Sequence, residues 1–176
     1  MRRKGTIAVL SVAATALLLV FASMPAGAQA ACAGQNDADA SATAQERAML
    51  CLVNQARKQR GLDPLSAPGS LARAAARKSA DIIRCDEFSH EACGREFTYW
   101  IERVGYGGCG WAENIAYGGG SLATPRSIFR MWMRSAGHRR NILGSYDDIG
   151  IGLQVGELEG NRGAHVWTQQ FGSRCD

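Results

Sequence analysis

The chain reads as an α+β protein in which helices pack on a small, mostly antiparallel sheet. Three observations predict this. Apolar residues recur three and four apart after Thr43, after Ser70 and after Thr124, the repeat of a half-buried helix. Ile149-Gly150-Ile151-Gly152-Leu153-Gln154-Val155 alternates with period two, as a strand with one buried face does. A second strand pattern, His165 to Phe171, follows the polar turn Glu157 to Gly163, so the two form a hairpin. Helices before and between a few antiparallel strands make a layer against a sheet.

The elements follow in order. Arg2, Arg3 and Lys4 precede an apolar run from Ile7 to Ala22, then Pro25 and Ala28-Gln29-Ala30. Residues 1–30 are therefore expected to be a secretory signal peptide with an A-x-A cleavage site. A membrane anchor is the competing reading, but the run is shorter than the ~20 residues a spanning helix needs. Acylation at Cys32 is disfavoured because Gln29 stands where a lipobox carries Leu. Residues 31–42 are small and polar and read as a flexible arm, leaving 43–176 as the folded domain.

Thr43-Ala44-Gln45-Glu46 has the pattern of a capping box, with Thr43 as N-cap and Glu46 reaching back. The helix it opens groups Met49, Leu52, Val53 and Ala56 and ends at Gly61. A second helix, about 70–83, groups Leu71, Ala74, Ala75 and Ile82. Its alanines allow close approach to a neighbour. A third, about 95–104, groups Phe97, Trp100, Ile101 and Val104. Ala112 to Tyr117 is a strand candidate ended by three glycines. Thr124-Pro125 opens another helix with proline at its first position, where the missing N–H is harmless. Gly137 interrupts it, and a short helix carries His138 to Leu143. Trp100, Trp111, Trp132 and Trp167 are all expected in the core.

Loss of the leader takes the formal charge from +4 to +1. A nearly neutral domain gives no electrostatic case for nucleic acid, which rests on clustered Lys and Arg. No second apolar span follows the leader, so no membrane crossing is expected after cleavage.

All six cysteines lie beyond residue 30, an even count that points to disulfides in a secreted chain. Cys85 and Cys93 are near neighbours and are expected to pair. The remainder are assigned as Cys51–Cys109 and Cys32–Cys175, although nothing in the spacing favours this over the alternatives. No C-x-x-C pair suggests a metal centre.

Three separated segments carry the chemistry: Phe88-Ser89-His90, Trp111-Ala112-Glu113-Asn114-Ile115-Ala116, and Trp132 to Leu143 with Gly137-His138-Arg139-Arg140-Asn141. Brought together, two imidazoles and a carboxylate can hold a divalent metal or run acid–base chemistry. They can equally form a buried hydrogen-bond network that ties loops to a sheet. Nucleophilic catalysis has little support. There is no G-x-S-x-G elbow and no H-E-x-x-H. Ser135 near His138 and Ser89 beside His90 imitate Ser–His pairs without a dedicated acid. Arg134, Arg139 and Arg140 form a small basic cluster. His165 has no carboxylate partner in its segment.

These segments resemble the CAP superfamily of cysteine-rich secretory, antigen 5 and pathogenesis-related 1 proteins, the SCP-like extracellular domains. Seven segments come in the family's order. Leu52-Val53-Asn54-Gln55-Ala56-Arg57 and Gly61-Leu62-Asp63-Pro64-Leu65 lead. The three segments above follow, and Ile149-Gly150-Ile151-Gly152 and Trp167-Thr168-Gln169-Gln170-Phe171-Gly172 close the set. The resemblance runs from about residue 44 to 172. It implies a three-layer α-β-α sandwich with His90, Glu113 and His138 meeting in a central cavity. There the family gathers two histidines and two acids, which in some members bind a divalent cation such as zinc. Ser135 stands at the second acid's position, three residues after Trp132, which removes one anionic ligand. Ser135, Asn114 and Asn141 are expected as cavity neighbours. The resulting expectation is a secreted, non-enzymatic binding protein for an extracellular or cell-envelope ligand. A metal-assisted hydrolase and a lipid or sterol carrier are the alternatives.

Overall fold

The computed structural model describes residues 32–175; the expected signal peptide lies outside these residues. Helix α1 spans Ala42–Lys58 and α2 spans Gly69–Arg84. A 3-10 turn at Ala92–Gly94 and the short α3, Tyr99–Arg103, lead to strand β1, Gly110–Gly118. Helices α4 (Pro125–Arg134) and α5 (Ala136–Ile142) precede the hairpin of β2 (Asp148–Leu158) and β3 (Asn161–Ser173).

The sheet has three strands in the order β1-β3-β2, and both pairings are antiparallel. Period two divides its faces. Trp167 and Phe171 of β3 join Ile149, Ile151 and Leu153 of β2 against Met49 and Val53 of α1 and Ile128 and Trp132 of α4. Val166 and Ala164 point the other way, towards Ile82 of α2. The expected three layers result, with α2 and α3 on one face and α1, α4 and α5 on the other.

Gly150 and Gly152 set the spacing of α2. A Cβ built on Gly150 would lie 2.0 Å from the Leu71 carbonyl oxygen, and one on Gly152 would lie 2.3 Å from the Ala75 carbonyl carbon. The obstacle is helix backbone, which cannot swing aside. Ala72, Ala75 and Ala76 on the helix complete this close approach, as their small side chains anticipate.

Both outer strands are edges, and side chains bond to each. On β1, the Ile115 carbonyl accepts from Trp132 Nε1 at 3.2 Å and the Glu113 carbonyl from Asn141 Nδ2 at 3.3 Å. On β2, Leu153 N donates to Glu46 Oε1 at 3.1 Å, and Ile149 N donates to the Ser66 carbonyl at 2.8 Å.

Several expectations are corrected. The N-cap of α1 is Ser41, whose Oγ accepts from Ala44 N; Thr43 lies inside the first turn, and Glu46 is drawn away to β2. The third helix keeps only five residues, because Arg95 is extended and a turn at residues 97–98 precedes the helix. Trp111 is exposed, unlike the fully buried Trp132 and Trp167. The disulfides are Cys32–Cys51, Cys85–Cys93 and Cys109–Cys175, so Cys51–Cys109 and Cys32–Cys175 do not form. The reason is register. Gly110 pairs with Ser173, so Cys109 and Cys175 flank the same end of the β1–β3 ladder, with Cα atoms 5.3 Å apart. Cys51 lies mid-helix and faces the N-terminal segment, 5.7 Å from Cys32. That segment, expected as a flexible arm, is thereby pinned: Gln35 is buried, and its carbonyl accepts from Arg126 N at 2.8 Å.

Candidate functional site

The Phe88-Ser89-His90 loop joins α2 to the 3-10 turn, and the Cys85–Cys93 disulfide closes its base. The Phe88 ring packs edge-on against Tyr117 of β1, with centroids 4.9 Å apart. Beneath the loop, Lys78 of α2 donates from Nζ to the His90 carbonyl at 2.5 Å. Lys78 is buried and lies on the same helix face as Leu71, Ala74, Ala75 and Ile82. Its pKa is pushed down by burial, against which the charges of Glu113 and Asp81 hold it up.

Glu113 of β1 is the centre of the site, with a side chain only 2% exposed. Its Oε1 lies 2.8 Å from His90 Nδ1 and its Oε2 accepts from Gln170 Nε2 at 3.1 Å. Gln170 sits opposite Glu113 in the β1–β3 register and also donates to the Phe97 carbonyl. A carboxylate can only accept, so His90 carries its proton on Nδ1 and leaves Nε2 free on its exposed side.

His138 stands on α5, across the edge of β1. Alternation sends Asn114 to the face opposite Glu113. Its Nδ2 donates to the His138 carbonyl and to Gln169 Oε1, both at 3.1 Å, and its Oδ1 accepts from Asn141 Nδ2 at 2.9 Å. These bonds lock the α5 backbone to the sheet and leave the His138 ring free to line a groove. Burial, and then the charge of the nearby His90, lower the pKa of His138. The two imidazoles therefore feel each other, while only His90 bonds to Glu113.

Ser135 is the hinge between α4 and α5, and its backbone N–H donates back to Met131 and Trp132. It lines a groove of about 420 Å³ along the edge of β1. Phe88, Ile115, Tyr117, Met131 and Trp132 make the groove apolar, and His138 and Arg134 give it a polar end. Among the described residues, no hydrogen bond joins Ser135 or Ser89 to an imidazole. Ser89 Oγ accepts from Glu91 N instead. His165 is held by backbone: Nδ1 lies 3.2 Å from the Gly163 carbonyl and Nε2 lies 3.0 Å from the Ala38 carbonyl.

The donor set does not fit a protein-held divalent ion. A closed site takes about four ligands. Here both Glu113 oxygens are engaged, Ser135 supplies no anionic ligand, and the Lys78 charge already acts on Glu113. No group of three or more His, Cys, Asp or Glu side chains suited to a metal occurs among the described residues. Lys78, Gln169 and Gln170 are the site residues that sequence reasoning missed. Lys78 was signalled by its place on the apolar face of α2, and the two glutamines by their place in a strand running towards Phe171.

Comparison with known proteins identifies the family and supports the fold. The cysteine-rich secretory protein family, CAP, is matched over residues 50–171. An uncharacterized protein of Bacillus subtilis (strain 168), YkwD, is 33% identical over 137 residues, covering 76% of this chain. The chain spans about half of that relative, 49% of its length. An extracellular SCP-domain protein of Bacillus anthracis superposes with a TM-score of 0.65 at 22% identity, over 76% of this chain and 41% of that one. An outer surface protein of Borrelia burgdorferi superposes with a TM-score of 0.62 at 17% identity, over 72% of this chain and 90% of that one. At these identities the two structures speak for the fold alone. With a family match across most of the chain and a relative 33% identical over 137 residues, this protein belongs to the CAP, or cysteine-rich secretory protein, family.

Proposed function

We propose that this protein is secreted and acts outside the cell as a non-enzymatic binding protein for an amphipathic small molecule. The apolar body of the ligand lies along the edge of β1, and its polar group meets His138 and Arg134. The observation that carries this reading is the groove: apolar walls that meet an imidazole whose pKa burial lowers. Its volume falls in the range of small-molecule sites. Three disulfides suit an oxidising, extracellular setting, as do the words extracellular and outer surface in the descriptions of structural relatives.

In this reading the His90–Glu113 pair positions the loop that forms one groove wall through Phe88. A hydrolase needs an activated nucleophile within hydrogen-bond reach of its base. The serines near the histidines do not make that contact, and the donor set does not favour the metal-assisted alternative.

Dodecanoate is the probe. Titration of the oxidised protein, followed by calorimetry and tryptophan fluorescence, is expected to show saturable one-to-one binding. Met131→Glu puts a charge on the exposed wall and should weaken binding at least about tenfold, some 1.4 kcal/mol. A folded wild type that binds neither dodecanoate nor dodecanol would overturn the proposal, as would unchanged affinity in Met131→Glu.

A further inference from the structure

A second concavity lies on the outer side of α2 and α3, apart from the groove. It has a volume of about 540 Å³ and is lined by Arg73, Arg77, Tyr99, Trp100, Arg103 and Val104. No carboxylate lines it. Among the described residues, no ion pair or hydrogen bond involves Arg73, Arg77 or Arg103. Asp81, one turn from Arg77, is already committed: it accepts from Arg84 and Arg95 at 2.6 Å each and from Trp100 Nε1 at 2.7 Å. Arg73 and Arg77 stand four apart on one helix, and like charges at that spacing repel. The surface thus keeps uncompensated cations around a hollow.

Two of the three guanidiniums, those of Arg77 and Arg103, also rest on aromatic rings. Arg77 stacks over Trp100 at 5.0 Å and Arg103 over Tyr99 at 5.4 Å, while Arg95 lies over both rings at 5.0 and 5.2 Å. Stacking uses the flat face of a guanidinium and leaves its N–H edge free, so the fork is oriented before any ligand arrives. Such forks match the oxygens of an oxyanion in bidentate fashion. Three of them suit a phosphate, whose oxygens outnumber those of a carboxylate. The hollow is of small-molecule size, which calls for more than a bare ion. Both aromatic rings already carry guanidiniums, which disfavours a stacking nucleobase. The mix of cations and ring edges disfavours an alkyl chain.

We infer that this pocket is a binding site for a sugar phosphate, with the phosphate clamped by Arg73, Arg77 and Arg103 and the sugar ring against the edges of Tyr99 and Trp100. The site has no imidazole, thiol or acid to run a reaction, so it binds without turnover. It is separate from the β1 groove and does not depend on what that groove holds.

Glucose 6-phosphate, inorganic phosphate and glucose are titrated into the oxidised protein at low and at high salt. The expected result is one-to-one binding of glucose 6-phosphate, weaker binding of phosphate, none of glucose, and affinity that falls with salt. The double variant Arg77→Gln/Arg103→Gln should lose at least about tenfold in affinity while its dodecanoate titration stays unchanged. Should that variant fail to fold, Arg73→Gln alone carries the test with a smaller loss. The inference is overturned if the wild type binds no glucose 6-phosphate, if glucose binds equally well, or if a folded variant binds as the wild type does.

Discussion

Replacing Glu113 by Gln tests the centre of the site directly. The amide keeps the shape of the side chain and removes its charge. In the native protein the carboxylate accepts from His90 Nδ1 and from Gln170 Nε2, and it holds the Lys78 cation in its buried position. Hydrogen bonds to a charged group contribute about 1.5–3 kcal/mol against about 1 for a neutral pair, so the two bonds together lose roughly 2 kcal/mol. Lys78 makes no ion pair with Glu113 among the described residues and keeps the His90 carbonyl and the charge of Asp81, so the loss of the Glu113 charge costs it less than the ~3–5 kcal/mol of a broken buried ion pair. The expected destabilisation is therefore about 2–4 kcal/mol at neutral pH. The assay is urea unfolding followed by far-UV circular dichroism, where a slope of about 1–3 kcal/mol/M turns that loss into a shift of the midpoint by roughly a molar unit or more. Lys78→Met should relieve part of the cost, so the double variant should be more stable than additivity predicts, by at least about 0.5 kcal/mol. A Glu113→Gln protein within about 0.5 kcal/mol of wild type, or strict additivity with Lys78→Met, refutes the argument.

Two further outcomes are expected. Non-reducing peptide mapping should find Cys32–Cys51 and Cys109–Cys175 and no free thiol, and removal of the Cys109–Cys175 bridge, which closes a long loop, should cost about 4 kcal/mol in the chain-entropy account; a map with Cys32–Cys175 reverses the assignment. The pH dependence follows from His138, whose imidazole faces His90 and shares its groove with Arg134. Its folded pKa lies below the ordinary value of 6.5, so the unfolded chain binds the proton more tightly. Its stabilising contribution is whole above 6.5 and is lost as pH falls through the folded value, so the urea midpoint should fall on acidification. His138→Gln should flatten that fall, and an unchanged profile sinks the assignment.

Much of the fold was legible because its periodicities are strong. The alternation from Ile149 to Val155 marks a strand, and the alanines of the second helix foretold a close approach to a neighbour, which the structure places at Gly150 and Gly152. The site was legible as a set of residue types, since His90 and Glu113 meet directly and His138 comes near them. Its meaning was less so. Lys78 shares the apolar face of α2, but what its charge meets there is set only when the loop carrying His90 folds over it, and its presence changes which ligands Glu113 can accept. The disulfide partner of Cys109 depends on the strand register and that of Cys51 on where the N-terminal segment lies against α1, and linear spacing is silent on both. The arginine hollow was missed because Arg73, Arg77 and Arg103 come from two helices whose mutual placement no local pattern reveals.

The side chains bonded to the two sheet edges have a consequence for how the protein behaves in a crowd of its own copies. An exposed strand edge is a template on which a second copy can add a strand. Here Trp132 and Asn141 hold carbonyls of β1, and Glu46 holds an N–H of β2. A passing chain must therefore displace packed side chains before it can pair. The residues that shape the groove wall and anchor α1 thus also guard the molecule against fibrous self-association, and a variant stripped of them could keep its disulfides and still be lost to aggregation.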